Sequence, residues 1–218
     1  MEYLLTIITF MPLLGVLLIL FIPREDERTI KNLATGLSVI PLLLSVYLWF
    51  GYDKGTGGFQ FETLVSWIPA INVNYHVGAD GLSIPLIFLT ALLTTLCLIY
   101  SSFSITRRVK EFFLLFLLLE MGMFGVFISL DLVLFYVFWE IGLVPMYLLI
   151  GIWGQPKDRP QYSAIKFFLY TLAGSVFMLL AILGLYFYHG PFDIVEDSPG
   201  LGVTVVLALF FGANSLLA

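Results

Sequence analysis

The chain has 218 residues, of which 60% are hydrophobic and only 11% charged, and its mean hydropathy is +1.02. A soluble domain is about 25% charged, so this composition excludes an ordinary water-soluble fold and points to a surface that faces lipid. The net charge of -5 and sequence pI near 4.9 argue against a nucleic-acid partner; the single cysteine, Cys97, excludes an internal disulfide or a cysteine-ligated cluster.

A helix that crosses a bilayer needs about 20 apolar residues. Runs of that kind cover 3–22, 32–52, 81–103, 112–130, 132–153 and 163–188, and a last run covers 201–218. The expected fold is therefore all-α: one polytopic membrane domain of six full spans and a truncated seventh. Met1-Glu2-Tyr3 lacks the basic start of a cleaved signal peptide and leads directly into the first span. Between the runs stand turn residues, such as Pro23-Arg24, Gly55-Thr56-Gly57-Gly58 and Asp197-Ser198-Pro199-Gly200. The segment 53–80 is too polar to cross. It is expected to be an outer surface loop, with Phe59, Phe61 and Trp67 at the headgroup level and Phe59-Gln60-Phe61-Glu62 as one arm of a short hairpin.

Basic residues set the orientation, because short loops rich in Lys and Arg stay on the cytoplasmic side. Arg24, Arg28 and Lys31 follow the first span, Arg107, Arg108 and Lys110 the third, and Lys157 and Arg159 the fifth; the alternate loops hold only Lys54. The N-terminus is thus expected outside. His76 and His189 stand apart, without further ligands at metal spacing, and read as loop residues. Asp80 before Ser83-Ile84-Pro85 reads as the cap of the third span, and Asp131 as the cap of the fifth.

Ionisable groups within a span cost about 2.5–3.5 kcal/mol near its centre, so each needs a reason. There are three: Glu120, Glu140 and Lys166. Glu140 lies roughly 12 Å into the fifth span, near the midplane. Tyr136 and Tyr147 fall within about 40° of it, forming one polar stripe, and Pro145 frees a carbonyl nearby. Such a carboxyl either locks helices together or carries a proton, and the backbone defect beside it favours the proton carrier. Glu120 differs from it in depth by only about 5 Å; if the two faced one another, one would stay protonated. Its neighbours Gly122 and Gly125 equally suit a plain helix contact. Lys166 sits only about 5 Å inside the sixth span, where snorkelling to the interface competes with a relay role. Tyr170, Gly174 and Ala181 continue its face, which is expected to pack inward.

Phe138-Trp139-Glu140-Ile141-Gly142-Leu143-Val144-Pro145-Met146-Tyr147, continuing through Gly151-Ile152-Trp153-Gly154, resembles the signature of the antiporter-like membrane subunits of respiratory complex I, and most closely the M-type. Asp80-Gly81-Leu82-Ser83, Gly125-Val126-Phe127, Asp131-Leu132 and Ala164-Ile165-Lys166-Phe167-Phe168-Leu169-Tyr170-Thr171 add to the likeness in the family's order. The resemblance implies a proton half-channel. Glu140 matches the key acid of the fifth helix and Lys166 the lysine that begins the sixth, with Glu120 a weaker candidate. It also implies partners in the bilayer, namely the other complex I membrane subunits. Flavin, iron–sulfur clusters and quinone are expected in partner subunits, with no cofactor or metal in this chain. Family members continue beyond the glycine that matches Gly212 to a further lysine on a broken helix; here the chain reads Ala213-Asn214-Ser215-Leu216-Leu217-Ala218 and stops. A truncated form of the subunit's N-terminal half is the expectation.

The leading function is a proton-translocating subunit of an NADH:quinone oxidoreductase in a bacterial cytoplasmic membrane. The runner-up is a subunit of a cation/proton antiporter or membrane-bound hydrogenase. A structural scaffold is the third reading, and it predicts that Glu140→Gln leaves transport intact.

Overall fold

A computed structural model describes residues 3–53, 55, 58–154, 159–189 and 193–194. Six helices in it are long and apolar enough to cross a membrane: α1 (Leu4–Phe21), α2 (Glu27–Gly51), α3 (Ser83–Ser104), α4 (Val109–Ile128), α5 (Leu132–Trp153) and α6 (Pro160–His189). The seventh run, 201–218, lies outside the described residues.

Helix ends follow local chemistry rather than hydropathy. α2 starts at Glu27, five residues before its apolar run, because Asp26 accepts a hydrogen bond from the Thr29 N–H and so caps a polar first turn. Asp80 works as expected at α3, where its Oδ1 accepts from the N–H groups of Leu82 and Ser83 at 3.1 and 2.7 Å. α6 begins three residues earlier than expected, at Pro160, and His189 is its last residue rather than part of a loop.

α4 is the centre of the bundle. It packs against α1, α2, α3 and α5, whereas α6 packs on α5. Two glycines set the α4–α5 seam: a Cβ on Gly122 would stand 3.1 Å from the Gly142 nitrogen, and one on Gly125 would enter the Phe138 ring. With no side chain to separate them, the two backbones approach closely, as in small-residue seams of membrane helices.

The segment 53–80 holds the expected hairpin, longer than expected and pinned on the bundle. β1 (Gln60–Ile68) pairs antiparallel with β2 (Val73–Ala79) across a short 3₁₀ turn, Pro69–Ile71, closed by Asn72 in the left-handed region at φ 53°. β2 is largely buried because it lies on the bundle: Gly78 leaves no room for a Cβ beside Leu130, the Leu130 N–H donates to the His76 carbonyl at 2.9 Å, and the Tyr75 hydroxyl bonds Thr6 of α1 at 3.1 Å. Phe59 and Trp67 are exposed as an interfacial pair should be. Phe61 is not; the bulge between Gln60 and Thr63 and its own φ of 58° turn it against the bundle core near Gly51.

Candidate proton-transfer site

Asp131 fixes the entry of α5, its Oδ1 accepting from Val133 and Leu134 at 2.8 and 3.1 Å. Glu140 follows eight residues after Leu132, roughly 12 Å into the span. Its Oε1 is buried and has no hydrogen-bond partner among the described residues. The other side of its environment is polar: Tyr136, one turn back, brings its hydroxyl near Glu140 and near Ser175 of α6, whose own hydroxyl donates to the Leu172 carbonyl at 3.0 Å. Glu140 also lines an open groove of about 610 Å³ with Tyr136, Ile141, Val144 and Pro145 of α5, Met121 of α4 and Leu13 of α1. Pro145 has no N–H, so the Ile141 carbonyl, next to Glu140 in the chain and on the same groove, loses its helical donor. Tyr147, the other expected member of the stripe, instead packs on the Phe168 ring at 5.3 Å.

Glu120 is eight residues from the α4 end that leads into the same turn, so the two acids lie at equal depth rather than about 5 Å apart. They do not share a face. Each stands two residues from the glycine that forms the seam, and two helical residues turn through roughly 200°, which points both away from it. Glu120 belongs to the face of Leu117 and Phe124, and the Leu117 side chain reaches Gly15 of α1. It is 0% exposed, and neither carboxyl oxygen has a partner among the described residues.

Lys166 and Tyr170 lie on the exposed side of α6, with the ammonium 5.8 Å from the Tyr170 ring centroid. This face was expected to pack inward. Of that face only Gly174 is buried; the inward side otherwise consists of Ala164, Ser175, Met178 and Ile182, because α6 has α5 as its main neighbour and turns small residues toward it.

Sequence reasoning missed a second polar cluster, at the hairpin end. His76, expected in a loop, is buried in β2; its Nδ1 lies 2.6 Å from Asp193 Oδ2 and its Nε2 3.6 Å from Glu62 Oε2. Beside it the buried Asp131 accepts, through Oδ2, the Asn74 N–H at 3.1 Å. Burial pushes the Asp131 carboxyl above the ordinary aspartate range; the N–H groups of Asn74, Leu134 and Val133 hold the rise down, and the charge of Asp193 adds to it. His76 and Asp193 are 117 positions apart, and no local signal joins them. Among the described residues, no group of three or more His, Cys, Asp or Glu is placed to hold a metal ion.

Residues 129–214, which include Glu140 and Lys166, match the family described as NADH:quinone oxidoreductase/Mrp antiporter, transmembrane. The chain is 42% identical over 183 residues to NADH-ubiquinone oxidoreductase chain 4 of Chondrus crispus. The resemblance to the antiporter-like membrane subunits of complex I is thereby established. It extends to NADH-quinone oxidoreductase subunit M of Rickettsia typhi, at 39% identity over 195 residues. The match covers 84% and 87% of this antiporter-like chain but only 37% and 39% of those relatives. The fold agrees with a chain of respiratory complex I from Thermus thermophilus at a TM-score of 0.78 and 25% identity, covering 96% of this chain and 43% of that one. The chain is an integral membrane protein.

Proposed function

We propose that this chain is the N-terminal part of a proton-translocating subunit of an NADH:quinone oxidoreductase, and that its half-channel centres on Glu140. The observation that carries the proposal is the carboxyl of Glu140 near mid-span, with one buried oxygen unpartnered and a groove on its open side. A carboxyl kept in a span without a full set of hydrogen bonds is costly as helix glue and useful as a proton carrier. The Ile141 carbonyl freed by Pro145 offers water an acceptor beside it. Tyr136, beside Glu140 and facing Ser175, offers a polar step from α5 to α6. Glu120, at the same depth but enclosed, is a second station. Lys166 enters through water rather than by direct contact, since it sits near the opposite end of its helix and on the exposed side.

The basic residues of the α1–α2 and α3–α4 loops support an orientation with that end of the bundle in the cytoplasm and the hairpin outside. The membrane is in this reading a bacterial cytoplasmic one, and the partners are other complex I membrane subunits. Quinone reduction and its flavin and iron–sulfur clusters belong to those partners. The matching family's description also names Mrp antiporters, which keeps a cation/proton antiporter subunit as the second reading. Co-purification separates them: iron–sulfur and flavin subunits support the first, sibling antiporter subunits the second.

The test is Glu140→Gln in the full-length equivalent of this chain, in native membranes. Assembly is expected to persist while proton pumping and the electron transfer coupled to it fall together, by about tenfold or more. Native rates for both would leave Glu140 as helix glue and overturn the proposal.

A further inference from the structure

A second groove lies on the other side of the α4–α5 pair. α3 and α5 both pack on α4 and leave a strip of it uncovered between them, forming an open cleft of about 450 Å³. Leu93 and Cys97 of α3, Phe116 and Met123 of α4, and Met146 and Trp153 of α5 line it. Its one side-chain hydroxyl, that of Thr94, is already bonded to the Thr90 carbonyl at 2.7 Å. Nothing in the cleft asks for water.

We infer that this cleft holds one acyl chain of an anionic phospholipid, with the headgroup at Arg107 and Arg108. Length selects the occupant. Along α4 the lining runs from Phe112 to Met123, about 16 Å, which is half of a hydrocarbon core of about 30 Å. A partner helix would need a cleft across the whole membrane; a lipid chain needs one leaflet. The cleft starts at the interface, because Trp153 lines its end and the Trp153 indole N–H donates to the Arg107 carbonyl at 2.9 Å. Charge selects the headgroup. Arg107 and Arg108 are exposed and form no ion pair among the described residues, whereas nearby Lys110 is held by the carbonyls of Leu20 and Ile22, and Arg24 by Glu111. Two free guanidinium groups above an apolar slot match a phosphate above its acyl chain.

The test uses the full 218-residue chain with Trp49→Phe, Trp67→Phe and Trp139→Phe, so that Trp153 is the only indole. In phosphatidylcholine vesicles, acyl-brominated phosphatidylglycerol is expected to quench Trp153 at a mole fraction about thirtyfold lower than brominated phosphatidylcholine does, from two interfacial arginines. Arg107→Gln with Arg108→Gln brings the two curves together. A second measurement needs no substitution: Cys97, exposed on the cleft, reacts with a lipid-soluble maleimide several-fold more slowly in vesicles that contain phosphatidylglycerol. Equal quenching by the two lipids in the arginine-containing chain would mean ordinary boundary lipid. Quenching by neither would mean that protein fills the cleft. Either result overturns the inference.

Discussion

Glu120 and Glu140 sit at one depth on two helices that touch, yet their surroundings differ in kind. α4 has neighbours on four sides, so Glu120 is fully enclosed, and neither of its carboxyl oxygens has a described partner. α5 is covered by α4 and α6 and open between them, so Glu140 keeps one oxygen enclosed while its side chain meets a groove and a tyrosine. The lesson is that depth alone does not define a proton site. The packing of the host helix decides how readily a carboxyl exchanges its proton.

The seam that holds the two acids in place is the largest target. Gly125→Leu would drive a side chain into the Phe138 ring, which has no space to yield at a backbone-to-ring contact. Overpacking of this kind costs about 3 kcal/mol or more. The expected outcome is loss of the folded chain from detergent extracts, read by size-exclusion chromatography, with both acids affected alike. A folded Gly125→Leu chain would show that α4 and α5 are not locked at this point.

Substitution of Glu120 separates the acids. Because neither of its oxygens is hydrogen-bonded among the described residues, Glu120→Leu removes a desolvated polar group and leaves no partner stranded. Thermal unfolding in detergent is expected to show Glu120→Leu more stable than Glu120→Gln by about 1–3 kcal/mol. If Gln were the more stable, Glu120 would be a helix clasp after all.

How much of this was written in the sequence depends on the range of the forces involved. The six described spans were legible because a run of about 20 apolar residues is a local property, and so were the Asp80 and Asp131 caps, each read from the residues beside it. The Glu140–Tyr136 pair was legible from helical spacing. The face of Glu120 was not, since it depends on which of four neighbours α4 turns toward each sector. The outward side of Lys166 was hidden for a related reason: the small residues Ala164 and Ser175, off the expected stripe, decide how α6 meets α5. Least legible was the burial of the hairpin's second strand. Val73 to Ala79 carries no strong apolar alternation, and what buries it is Leu130, Asp131 and Asp193, far away in the chain.

Asp131 sharpens the comparison, being as buried as Glu120 but supplied with three backbone donors. Its folded carboxyl holds a proton more tightly than an ordinary aspartate does. Its contribution to stability is therefore complete below about pH 3.9 and is lost as pH rises through the folded value. Asp131→Asn is expected to flatten that part of the stability curve. It also costs about 1 kcal/mol of capping, because an amide has only one oxygen to serve α5 and Asn74. An unchanged slope would assign the pH dependence to another group.

Tyr136→Phe is the smallest change and the finest probe of Glu140. It deletes one hydroxyl, keeps the ring against its neighbours, and removes the polar step between Glu140 and Ser175. A hydrogen bond to a group that changes charge is worth about 1.5–3 kcal/mol, most of it felt only when that group is ionised. Stability is therefore expected to shift by under about 1 kcal/mol, while the pumping rate of the full-length equivalent falls several-fold and its pH optimum moves. The double variant with Glu140→Gln should then lose no more than Glu140→Gln alone, since both substitutions cut the same path. Additive losses would place Tyr136 on a separate route, and would leave the groove rather than the α6 link as the way out for the proton on Glu140.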